Sequence, residues 1–217
     1  MTTKQTLRIG RLHVLTDYRF QQRFSHVELA RLSIDGGADT IQFRHKSAPV
    51  RHALHELEPV ADLCLKADIP LIVDDDVALA MAVGAAGVHV GQHDLPVDTT
   101  RSILGRSRII GATVTSVEQA LNAEEMGADY VGFGPVYGTK SKGSSLSGTG
   151  TNVLSTIVRA VHIPVIAIAG ITRERVRPVL ESGAHGIAVM TYVSTASNPV
   201  EATRRLRDEI DAFNFQG

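Results

Sequence analysis

Eight times along its 217 residues the chain repeats one alternation, a short run rich in Val and Ile followed by a longer amphipathic stretch. The short runs are LHVLT (12–16), TIQFR (40–44), LIVDD (71–75), GVHV (87–90), IIGAT (109–113), YVGFG (130–134), PVIAIAG (164–170) and GIAVM (186–190). Apolar continuity without strict alternation marks a parallel strand buried on both faces. The stretches between them carry helix-start signals. Ser25 with Glu28 and Ser116 with Gln119 fit capping boxes. Glycines close several of these stretches, at Gly36-Gly37, Gly105, Gly127 and Gly183, where a left-handed residue ends a helix at little cost. The half-unit of helix, small residues and strand recurs as GGADTI, GAAGVHV, GADYVGF and GAHGIAV. Eight strands alternating with eight helices predict an α/β fold, a single (β/α)8 TIM barrel spanning residues 1–217 as one domain. The competing open, doubly wound sheet lacks its glycine-rich nucleotide turn after the first strand.

The charge balance excludes some partners. With 22 Lys and Arg against 23 Asp and Glu, no basic field exists to hold nucleic acid or an anionic membrane. The N-terminal MTTKQTLRIGRL lacks the apolar stretch of a signal peptide, and no run approaches membrane-spanning length, so a cytoplasmic location is expected. The single cysteine, Cys64, sits in a helical pattern and reads as a packing residue in a reducing compartment. A homo-oligomer is compatible with the sequence, which does not fix the oligomeric state.

In a barrel of this kind, chemistry lies at the C-terminal strand ends, and polar residues gather there. Gln42, Arg44 and Lys46 alternate along the second run, and period-two spacing turns them to one side as an anion clamp. The third run ends in Asp74, Asp75 and Asp76, and the fourth leads to His89, Gln92 and Asp94. One of the three adjacent aspartates is expected to cap the helix that starts near Val77. The others suit a hard divalent cation such as Mg²⁺, which completes its shell with phosphate oxygens and water. His89, inside an apolar strand, reads as a satisfied core or rim histidine. His45 and His93 flank the site without a fixed role, and histidine-based metal chemistry is not expected. The segment 134–152, GPVYGTKSKGSSLSGTGTN, places Lys140 and Lys142 among hydroxyls and reads as a lid over an anion. AGIT (169–172) and VMT (189–191) mark the phosphate pocket common at this end of barrels.

These residues together resemble the thiamin phosphate synthase family, which includes the TenI-type thiazole tautomerases. The resemblance runs from LHVLTD to VMTYVS and rests most on QFRHK (42–46), GVHVGQHDLP (87–96), GPVYGTKSK (134–142) and IAIAGIT (166–172). It implies a Mg²⁺-dependent transferase that joins hydroxymethylpyrimidine diphosphate to thiazole phosphate, releasing pyrophosphate. Its partners are then small phosphorylated substrates. It further implies catalytic Arg44, Lys46 and Lys142, metal-binding Asp75 and Asp94, and substrate contacts from Gln42, Phe43, His45, Asp74 and Thr113. Thr139, Ser141, Gly170, Met190 and Thr191 fall around the thiazole phosphate. Four positions depart from the family pattern. Asp74 stands for Asn, Asp76 for a frequent Arg, Ala86 for Asp, and Ala169 for the first glycine of a pair. The resemblance leaves two alternatives, a tautomerase and a barrel that binds a thiazole or thiamin phosphate without turnover. The tautomerase branch carries a histidine where this chain has Pro135. Another phosphate-handling barrel, the remaining possibility, would leave the Gln-x-Arg-x-Lys clamp unexplained.

Overall fold

The computed structural model describes residues 9–46, 48–138 and 147–214. Its eight strands are β1 (Leu12–Asp17), β2 (Thr40–Arg44), β3 (Leu71–Asp74), β4 (Gly87–Val90), β5 (Ile109–Val114), β6 (Tyr130–Phe133), β7 (Val165–Ile168) and β8 (Gly186–Val189). All neighbours pair in parallel, and β1 pairs with β8 through Leu12 and Ile187, which closes the barrel in sequence order. Helices α1 (His26–Asp35), α2 (Val50–Ala67), α3 (Val77–Ala82), α4 (Val97–Leu104), α5 (Val117–Glu125), α6 (Thr151–Ala160) and α7 (Arg173–Glu181) alternate with the strands. After β8 the pattern adds an element. A four-residue helix, α8 (Thr191–Ser194), precedes the outer helix α9 (Pro199–Asn214). No described helix is long and apolar enough to cross a membrane.

Alternation along each strand creates two apolar layers. Leu15, Ile72, Ile109, Tyr130, Ile166 and Ala188 fill the barrel interior. Val14, Ile41, Phe43, Val88, Ile110 and Val131 face outward against Leu29, Leu57, Leu154, Ile157 and Leu206 of the helices. Each such side chain, fully buried, contributes about 1.5–3 kcal/mol. Cys64 belongs to this outer layer, and burial pushes its thiol up to about 12, which suits a packing role.

Local chemistry fixes the helix ends. Ser25 and Glu28 form the reciprocal capping box, with Ser25 Oγ accepting from Glu28 N and Glu28 Oε2 accepting from Ser25 N at 2.8 Å. At α5 the bond back from the helix shifts by one residue. Ser116 accepts from Gln119 N, but Gln119 Oε1 accepts from Thr115 N at 2.8 Å. Asp76 caps α3 by accepting from Leu79 N at 2.9 Å. That assignment shortens the third strand. β3 stops at Asp74 because Asp75 turns to a left-handed φ of 64°, its amide donating to His89 O at 2.8 Å.

Candidate active site

A cavity of 580 Å³ opens at the C-terminal ends of the strands, a volume suited to a small-molecule site. Gln42, Arg44, Asp74, His89 and Thr113 line one side of it; Gly170, Met190 and Thr191 line the other. The first group comes from inward-facing positions on β2 to β5. The second comes from the turns after β7 and β8.

The charged rim is built by strand register. Asp17 sits opposite Arg44 in the β1–β2 ladder, and the two side chains form an ion pair. Arg44 Nε also lies 3.2 Å from Asp74 Oδ2, Gln42 Nε2 donates to Asp74 Oδ1 at 3.1 Å, and Lys46 Nζ stands 3.8 Å from Asp74 Oδ2. Lys46 pairs directly with Asp75, and Asp75 in turn hydrogen-bonds to Asp94. Asp94 Oδ2 is held by the amide of Gly91 at 2.7 Å.

Burial and the neighbouring charge of Asp75 push Asp74 up to about 7, even against Lys46 and Arg44. Asp75 is also raised, first by burial and then by its contact with Asp94. Burial alone would raise Asp94, but the hydrogen bonds from Asp75 and the Gly91 amide outweigh it and hold this carboxyl low. Lys46, which burial would lower, is raised by its hydrogen bond to Asp75 and by Asp74. Two carboxylates this close need a proton or a cation between them. Among the described residues, four carboxylates (Asp17, Asp74, Asp75 and Asp94) meet two cations, Arg44 and Lys46. A polyanion entering this rim therefore brings or meets additional positive charge. The Asp75–Asp94 oxygen donors fit a hard divalent cation such as Mg²⁺.

Deeper in the barrel, His89 is held at both ring nitrogens, by Tyr130 Oη at 2.9 Å and Thr113 Oγ1 at 2.8 Å. Gly111 opposite it on β5 and Gly132 one strand further on β6 leave room for these rings. A Cβ on Gly111 would lie 2.2 Å from Tyr130 Cζ, and one on Gly132 2.9 Å from His89 Cε1. His13 packs edge-on against Tyr130, its ring centroid 5.6 Å away, and burial lowers its imidazole to about 4, so it stays neutral. Across the cavity, the feet of the 134–152 segment are pinned to β7 and to each other. Val136 N donates to Ile168 O at 3.0 Å and Gly150 N to Val136 O at 2.9 Å. Gly170, at φ 66°, packs so tightly there that a Cβ would come within 2.8 Å of Gly138 O.

The structure thus brings Gln42, Arg44, Lys46, Asp74, Asp75 and Asp94 into one polar cluster, with Thr113, Gly170, Met190 and Thr191 around the adjoining cavity. Phe43 and His45, expected at the substrate, point the other way. As the odd members of an extended segment they turn toward the helices and line a separate 220 Å³ cavity behind the rim. Thr139, Ser141 and Lys142, together with Lys140, lie outside the described residues. Sequence reasoning passed over Asp17, Tyr130 and Arg175. Arg175 lines the cavity with its guanidinium 4.4 Å from the Tyr137 ring centroid. Asp17 alone carried a signal, as the last residue of LHVLTD at a strand end.

Known proteins resemble this chain over nearly its whole length. The family described as thiamine monophosphate synthase matches residues 12–193. A thiamine-phosphate synthase from Salinibacter ruber is 55% identical over 203 residues, covering 94% of this chain and 89% of the relative. Another from Roseiflexus castenholzii is 42% identical over 199 residues, covering 92% and 87%. Among solved structures, a thiamine phosphate pyrophosphorylase from Pyrococcus furiosus superposes with a TM-score of 0.85 at 39% identity, covering 93% of this chain and 96% of its own. By profile, identity and shared barrel, this chain belongs to the thiamine monophosphate synthase family.

Proposed function

We propose that this barrel is a transferase that joins hydroxymethylpyrimidine diphosphate to thiazole phosphate, yielding thiamin phosphate and pyrophosphate. The observation that carries the reading is the rim. Arg44 pairs with Asp17 and Asp74, and Lys46 with Asp75 beside Asp94, at the edge of a cavity of small-molecule size. The names of the relatives supply the substrate class.

In the reaction the bond between the pyrimidine methylene carbon and the diphosphate oxygen breaks, and its electron pair leaves with pyrophosphate. The thiazole nitrogen then donates its lone pair to that carbon and becomes the ring cation. No proton has to move in either step. That agrees with a site rich in charge but without a nucleophile–base pair, since positioning and electrostatic stabilisation provide the rate. Arg44 would clamp the diphosphate with its planar fork, and Gln42 would donate to it. Lys46 would exchange Asp75 for a phosphate oxygen. Asp75 and Asp94 would hold Mg²⁺, which neutralises charge on the departing pyrophosphate. Thr113, held by His89, offers a hydroxyl to the same substrate. Gly170, Met190 and Thr191 would surround the thiazole phosphate; by the family resemblance Thr139 and Ser141 would serve the same partner and Lys142 the pyrophosphate.

The test is direct. Purified protein mixed with both phosphorylated halves and Mg²⁺ should form thiamin phosphate and one equivalent of pyrophosphate. Tight binding of both halves with no product under any divalent metal would overturn the transferase reading in favour of a binding protein.

A further inference from the structure

Behind β2, on the side away from the main cavity, His26, His45 and Glu56 converge. His26 opens α1, His45 follows the last residue of β2, and Glu56 lies on α2. Glu56 Oε2 is 3.3 Å from His45 Nε2 and 3.7 Å from His26 Nε2, and the three atoms lie within 4.8 Å of one another. All three atoms are buried and have no hydrogen-bond partner; the described residues hold only six such side-chain atoms. Buried polar atoms are almost always satisfied, so three orphans meeting at one point call for an occupant.

We propose that His26 Nε2, His45 Nε2 and Glu56 Oε2 form a binding site for a divalent transition metal of the zinc class, separate from the acidic pair at the cavity rim. The donor set selects the ion. Two imidazole nitrogens and one carboxylate suit Zn²⁺ or Co²⁺, whereas Mg²⁺ prefers oxygen alone. Bonds of about 2.0–2.1 Å place tetrahedral ligands about 3.3 Å apart; the His45–Glu56 separation of 3.3 Å matches this, and His26, at 3.7 Å from Glu56, would move inward by a few tenths of an ångström on binding. The surroundings orient the ligands as metal-bound imidazoles require. Thr16 Oγ1 is 2.7 Å from His26 Nδ1, and with the proton on that nitrogen the Nε2 lone pair is free for a metal. Tyr18 stacks on His45 with ring centroids 5.3 Å apart and planes 8° from parallel. Exposed His52, one helical turn before Glu56, brings Nε2 to 3.7 Å from Glu56 Oε1, on the far side of the carboxylate from the three converging atoms, so water would complete the coordination. A bound metal would tie α1 and α2 to the end of β2, the strand that carries Gln42 and Arg44.

The inference does not depend on the reaction assigned to the main cavity. The full chain, stripped with a chelator, is titrated with Co²⁺ and then Zn²⁺, following visible absorption and metal stoichiometry. One equivalent of Co²⁺ should bind with the intense visible bands of a tetrahedral site and be displaced by Zn²⁺. Glu56→Gln and His45→Ala should each weaken binding at least about tenfold, with the fold of each variant verified by circular dichroism. Asp94→Asn should leave the bands intact. The proposal is overturned if Co²⁺ does not bind, if Glu56→Gln and His45→Ala retain wild-type affinity, or if Asp94→Asn abolishes the bands.

Discussion

At the scale of single residues, Asp74 governs the charge of the rim. It ties up Gln42, Arg44 and Lys46, the groups that a diphosphate would use. A unit charge about 4 Å away is worth about 1 kcal/mol in bulk water and about 4 kcal/mol near a protein surface, and at neutral pH Asp74, pushed up to about 7, carries only part of that charge. Asp74→Asn is therefore expected to tighten inorganic pyrophosphate binding roughly fivefold by calorimetry at low salt; weaker binding would show that Asp74 instead positions Arg44. Ala169 is the second such residue, held at φ 81° where L side chains are strained. That conformation costs about 1–2 kcal/mol, and glycine gives back about 0.5–1 kcal/mol through a more flexible unfolded chain. Ala169→Gly should accordingly stabilise the protein by about 0.5–1 kcal/mol in chemical denaturation. Both residues stand out in the sequence as departures from the family pattern. Asp17 does not, because its pairing with Arg44 arises from strand register, which no local signal carries.

At the scale of elements, the strands follow apolar runs and the helices follow their caps. The Ser25–Glu28 box satisfies orphan amides at the start of α1, and Ser25→Ala should destabilise the fold by about 1 kcal/mol, measured by urea unfolding. Alternation along 42–46 separates Gln42, Arg44 and Lys46 at the rim from Phe43 and His45, which line the cavity behind it. β3 ends one residue before the apolar run 71–75 does, because the left-handed turn at Asp75 depends on an amide bond to His89 across the sheet. Helix α8 escaped notice since four residues are too few for a periodic pattern.

At the scale of the molecule, barrel closure was legible from eight recurring units, and with it the end at which the chemistry lies. The cavity assembles residues from His13 to Thr195, so its shape could not be read from any one stretch. The His26, His45 and Glu56 cluster is the clearest example, since its members come from α1, the turn after β2 and α2 and match no spacing motif. The central claim is that Asp75 and Asp94 hold the cation on which pyrophosphate departure depends. Single-turnover formation of thiamin phosphate, followed against Mg²⁺ concentration in the native chain and in Asp75→Asn and Asp94→Asn, tests it most directly. Each variant should lose about 100-fold or more in rate while keeping a folded barrel; rates close to native at the same Mg²⁺ concentration would contradict it.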